Sequence, residues 1–136
     1  MKEISKEELI EEITQINTTN LNNINIDNDD IEILSKNKEL ILMSAFKYIG
    51  VDASDKAMQL ILSDLDSEGV QISKADSLLF IFEIHPDYEL INISDSMNII
   101  HEVADSQADV IFGTSININN KPDYVKITCF LGFKRV

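Results

Sequence analysis

Glycine, proline, cysteine and cations are all scarce in this 136-residue chain, and each scarcity excludes a class of protein. The single cysteine, Cys129, cannot close an internal disulfide; it lies in an alternating apolar run and reads as packing. The four glycines, Gly50, Gly69, Gly113 and Gly132, are too dispersed to build a phosphate-cradling loop. Two prolines and no Gly/Ser-rich stretch leave no interdomain linker. No segment approaches the roughly 20 apolar residues that cross a bilayer. The opening residues, Met1-Lys2-Glu3-Ile4-Ser5-Lys6-Glu7-Glu8, lack the apolar centre of a secretory signal, so the expected location is the cytoplasm. Eleven Lys and Arg face 24 Asp and Glu, a formal charge of −13 that repels phosphate backbones and anionic lipid heads. Neither nucleic acid nor membrane is expected as a partner; a protein partner would offer neutral or basic surface.

What is present suits one soluble domain: 44% hydrophobic and 26% charged residues, with no internal repeat. Ser5 and Glu8 have capping-box spacing, and Leu9, Ile13 and Ile16 recur with helical period, predicting a helix over 6–16. An Asn/Thr-rich run at 17–28 sets this prefix apart, so the expected division is 1–20, N-terminal helix and Asn-rich loop, and 21–136, the main domain. Asp29 or Asp30 can cap a short helix carrying Ile31, Ile33 and Leu34, with a first strand over 40–46. Asp52 or Ser54 can cap the next helix, whose Met58, Ile61, Leu62 and Leu65 form one apolar stripe. A loop at 66–74, with Gly69 as its permissive residue, leads to the nearly continuous apolar run 77–84, the pattern of a strand buried on both faces. His85-Pro86-Asp87 ends that strand, and Ser94 can cap a second crossover helix reaching about residue 105. Strands over 110–116 and 125–133 close the chain.

The expected fold class is therefore α/β (α+β): a mixed sheet of about four strands in βαβαββ order, preceded by an N-terminal helix and a short helix. Crossover helices of this length join neighbouring parallel strands, which places both on one face. The short loop before the last strand favours an antiparallel hairpin with its predecessor.

The segment Asn25-Ile26-Asp27-Asn28-Asp29-Asp30, followed by a short helix and a strand, resembles the Asn-x-Asp-x-x-Asp loop that precedes the C-terminal domain of the FtsZ/tubulin-like cell-division GTPases. Ala108-Asp109-Val110-Ile111-Phe112-Gly113-Thr114-Ser115-Ile116 and the run 125–133 resemble that domain's final two strands. The similarity is collinear over about 22–133. It implies a domain without the GTP-binding half, not an enzyme on its own, that takes part in or regulates assembly of cell-division filaments.

By the same resemblance, Asp27 and Asp30 would act as catalytic carboxylates in trans, positioning the water that attacks the γ-phosphate of GTP held by a neighbouring subunit. Asn22, Asn25 and Asn28 would be partner contacts. The partner would be FtsZ, an FtsZ-like protein or a second copy of the chain, with no cofactor bound by the chain alone and GTP in the partner subunit. Two carboxylates beside phosphates repel them, so the partner would also supply positive charge or a metal ion. Asn22 and Asn23 replace the family's Gly and apolar pair, and Asn28 replaces an apolar residue. Three functions fit: an assembly partner or cap of filaments, one half of an FtsZ-type GTPase that completes hydrolysis in trans, or a self-associating module outside division. The carboxylates can equally cap a helix and solvate a loop. As a calcium loop the segment fails, since Asp30 and Lys36 stand where Gly and Glu are required, and no metal site is expected. His85 and His101 lack a third ligand or nucleophile, and Ser115 lacks a nucleophile elbow, so no independent active site is expected.

Overall fold

A computed structural model describes residues 1–19 and 28–134. The elements run β1 (Lys2–Ile4), α1 (Lys6–Thr19), α2 (Asn28–Ser35), β2 (Lys38–Ile49), α3 (Ala53–Ser67), a 3₁₀ turn (Ile72–Lys74), β3 (Ser77–Ile84), α4 (Leu90–Val103), β4 (Asp109–Ile116) and β5 (Tyr124–Lys134). The strands form one sheet in the order β1-β2-β5-β3-β4. β3 and β4 are parallel; β5 lies antiparallel to both β2 and β3, and β1 antiparallel to β2.

Side-chain alternation along the strands sorts the core into two layers. Leu78, Phe80, Phe82 and Ile84 of β3, with Val125, Ile127, Cys129 and Leu131 of β5, face α3 and α4. Leu79 and Ile81, with Phe130 and Ile41, face Leu9, Ile13 and Ile16 of α1 and Leu34 of α2. The two crossover helices thus share one face, as their connections require, and the N-terminal helices cover the other. Cys129 is fully buried, and that burial pushes its thiol pKa up, as a packing residue should show.

The capping box forms as spelled: Ser5 Oγ accepts the Glu8 N–H at 3.1 Å and Glu8 Oε1 accepts the Ser5 N–H at 3.1 Å. The stripe of α3 is buried through Met58, Ile61 and Leu65, with Leu62 packed at its margin. Ser54 Oγ and Ser96 Oγ lie 2.7 Å apart, and Ser96 donates to Asp55 Oδ1 at 2.6 Å, tying α3 to α4.

Four expectations need correction. The sheet has five strands, because Lys2–Ile4 adds an edge to β2. β5 does not form a hairpin with β4; it inserts between β2 and β3. The reason is burial: β5 has seven of its eleven residues buried, on both faces, whereas β4 has two of its eight, so β5 takes the centre and β4 the edge. Neither Asp52 nor Ser54 caps α3 with its side chain. Asp52 occupies the N-cap with left-handed backbone (φ 57°), and the Ser54 N–H donates instead to Tyr88 Oη at 3.1 Å. Finally, α4 begins at Leu90 with Glu89 as N-cap, one turn before Ser94, because the apolar stripe starts at buried Ile93 and runs through Met97 and Ile100.

Candidate functional site

Asn22, Asn25 and Asp27 lie outside the described residues. Asn28 opens α2, and Asp29 and Asp30 occupy its first turn, exposed and half-buried respectively. Carboxylates in a first helical turn complement the positive end of the helix dipole, which supports the helix start independently of any function.

The other end of α2 is fixed to the sheet. Leu34 is buried among Leu79, Ile81 and Phe130, with Ile31 packed alongside. Ser77 Oγ donates to the Leu34 carbonyl at 3.2 Å, and Ser35 Oγ donates to the Ile31 carbonyl at 2.7 Å. Lys6 of α1 pairs with Glu32 at 3.0 Å across exposed surface, a weak tether. Gly132 of β5 makes the close approach possible. A Cβ there would lie 2.6 Å from the Leu34 carbonyl oxygen and 2.5 Å from Ser77 Oγ.

Gly132 and Ser77 are therefore positioning residues that the motif reading did not single out. The available signal was an isolated glycine inside an alternating strand, which marks close backbone approach. The arrangement is an acidic helix start held against a rigid sheet. It can accept hydrogen bonds from water or from a donor-bearing partner, and by itself it repels phosphate.

The remaining chemistry-bearing side chains do not assemble. Among the described residues, no group of three His, Cys, Asp or Glu side chains could hold a metal ion. His85 Nδ1 accepts the Asp87 N–H at 3.0 Å, and His101 is exposed on α4. Ser115 is buried within β4 with no hydrogen-bond partner for its hydroxyl, a strand position that offers no nucleophile geometry. A cleft of about 640 Å³ is lined by Leu40, Leu42, Val70 and Phe133 together with Glu39, Lys74 and Lys134, and no Ser, Thr, Cys or His lines it. No helix among the described residues is long and apolar enough to cross a membrane.

Comparison with known proteins gives a consistent result. No protein-family model matches the chain. The cell division protein FtsZ of Helicobacter pylori strain J99 is 30% identical over 122 residues, covering 88% of this chain and 32% of that protein. FtsZ of strain 26695 is 29% identical over the same length. The chain thus spans about a third of the curated relatives it matches. Among solved structures, the empty FtsZ dimer of M. jannaschii superposes with a TM-score of 0.68 at 20% identity, covering 83% of this chain and 32% of that one. A GTPγS-form protofilament of TubZ from Bacillus thuringiensis serovar israelensis gives a TM-score of 0.60 at 16% identity, covering 95% and 35%. The sequence similarity and the fold likeness agree: this chain carries an FtsZ-like C-terminal domain.

Proposed function

We propose that the protein takes part in, or regulates, assembly of FtsZ/tubulin-type cell-division filaments, presenting the acidic loop 22–30 to the nucleotide pocket of a neighbouring FtsZ-type subunit. The observation that carries this reading is the similarity to FtsZ over 122 residues, which takes in both that loop and the domain behind it. In the reading, Asp27 and Asp30 hold the attacking water while the neighbour supplies GTP and the compensating cation, and Asn22, Asn25 and Asn28 contact the neighbour. Solved structures of similar fold described as a dimer and as a protofilament support association with a like subunit.

The test is sedimentation of FtsZ with GTP in the presence of increasing amounts of the protein. A domain that docks on the nucleotide face without offering a pocket of its own lowers the pelleted fraction at substoichiometric ratios. Asp27→Ala with Asp30→Ala changes GTP hydrolysis in the mixture while leaving docking intact. Unchanged pelleting and unchanged hydrolysis across the titration would remove the proposal. Because the chain spans about a third of its relatives, a second arm mixes it with a separate FtsZ GTP-binding domain. Restored hydrolysis there identifies a half-enzyme acting in trans.

A further inference from the structure

The two edges of the sheet are built very differently. β1 is three residues long and carries exposed Lys2 and Glu3, the short, charged form in which proteins protect an edge. β4 is eight residues long, Asp-Val-Ile-Phe-Gly-Thr-Ser-Ile, with its one charge at the first position. It has no proline, and its pairing with β3 runs from Ser77↔Asp109 to Ile84↔Ile116 without a bulge. Among the described residues β3 is its only strand partner, so the alternate N–H and C=O groups of its outer side have no ladder.

Apolar side chains gather along this open edge. Phe112 is 40% exposed although it stacks edge-on against Phe82, with ring centroids 6.3 Å apart. Leu90 and Ile91, at the start of α4, are 59% and 64% exposed, and Ile118 just past β4 is 64% exposed. Between α4 and β4 lies a cleft of about 340 Å³ lined by Leu90, Ile93, Ser94, Phe112, Gly113 and Thr114. A strand edge beside a helix, with an apolar socket between them, is the geometry in which an extended peptide adds a strand and buries alternate side chains.

Charge identifies the occupant. Apart from His85 and His101, every charged side chain between Lys74 and Lys121 is a carboxylate. Glu89 and Asp95 flank the socket, both exposed, and Asp87 stands just before α4. Glu89 is the N-cap residue of α4, whose first turn carries no acidic residue of its own. Lys36, Lys38 and Lys134 gather instead near Asp109, at the opposite end of β4. Within the stretch 75–120, which holds both α4 and β4, no Lys or Arg compensates these carboxylates, and that favours an occupant that brings its own cations.

We propose that the β4 edge and the α4–β4 socket bind an extended segment of another protein, one that alternates apolar residues with Lys or Arg, by strand addition. An apolar side chain of that segment enters the socket, its backbone completes the β4 ladder, and its cations lie over Glu89 and Asp95.

The probe is a capped eight-residue peptide alternating lysine and valine with a central leucine, followed by fluorescence anisotropy and by amide hydrogen exchange of the intact protein. Saturable one-to-one binding that slows exchange in β4 and not in β1 is expected. Glutamate in place of lysine, or N-methylation of alternate peptide amides, abolishes binding. Leu90→Ala, at an exposed position that folding tolerates, weakens it about tenfold by removing one wall of the socket. The proposal is overturned by equal binding of lysine and glutamate peptides, by undiminished binding of the N-methylated peptide, by protection elsewhere, or by no binding at millimolar peptide. Sedimentation showing that the protein dimerises with β4 protected and no peptide present also overturns it, in favour of a second copy.

Discussion

At position 132 a single methyl group decides whether α2 can lie against the sheet. The backbone at Gly132 is ordinary strand, so the restriction is steric: the Leu34 carbonyl and Ser77 Oγ already fill the space a Cβ would need. Ser77 can swing away, but a helix carbonyl moves only with its helix. Gly132→Ala should therefore destabilise the fold by about 1–3 kcal/mol, the usual cost of overpacking a close contact. A lowered urea midpoint with exchange rates raised first in α2 is the expected result, and an unchanged midpoint would show that α2 is not seated as described. The same substitution shifts Asp29 and Asp30, which ride on α2, so it bears on the acidic site without touching it. Residue types named the acidic loop but gave no address for it: Asn22, Asn25 and Asp27 lie outside the described residues, and the side chains that hold α2 in place come from β3 and β5, far away in sequence.

Ties between elements set where this fold responds to pH. Asp64 of α3 accepts the Ser44 hydroxyl of β2 at 2.7 Å and pairs with the Met1 amino group at 2.8 Å. The hydrogen bond from the Met1 amino group and then that from Ser44 hold the Asp64 carboxyl below its ordinary value. A carboxyl whose pKa is lowered on folding adds stability above the unfolded range, near pH 4, and loses it as pH falls through the lower folded value. Urea unfolding at a series of pH values should show Asp64→Asn less stable than the parent at neutral pH, with the gap narrowing below about pH 4. A gap independent of pH would mean that the tie carries no charge. Elements themselves were legible wherever one pattern dominated. The run 77–84 reads as a doubly buried strand and is one, and the Ser5–Glu8 box forms as spelled. Strand order was not legible, because a short loop between 116 and 124 favours a hairpin locally, whereas two-sided burial of β5 is a property of the assembled sheet. The three residues of β1 are too few to show alternation, and Ser94 resembles a cap although α4 begins at Leu90 and its buried stripe at Ile93.

The whole molecule is two apolar layers sharing one sheet, and the layers differ in how they are closed. α3 and α4 are bound into the α3–α4 face by the crossovers that connect the strands, so that face cannot be opened without unthreading the sheet. The opposite face is closed by segments that begin the chain: Ile4 of β1 and Leu9, Ile13 and Ile16 of α1 cover Ile41, Leu79, Ile81 and Phe130 together with Leu34. Burying four such side chains contributes on the order of 6–12 kcal/mol, as an upper bound. That is comparable to the roughly 5–15 kcal/mol by which a domain is stable at all. A chain starting at residue 21 should therefore keep its crossover layer but expose the sheet on the other side. It should bind a hydrophobic dye, retain far-ultraviolet dichroism and lose its cooperative thermal transition. A sharp transition near that of the full chain, with no dye binding, would instead show 21–136 to be an autonomous unit. The outcome also bears on the proposed assembly: if α1 is integral to the core, the segment proposed to meet a neighbour connects two elements packed on the same face of one sheet.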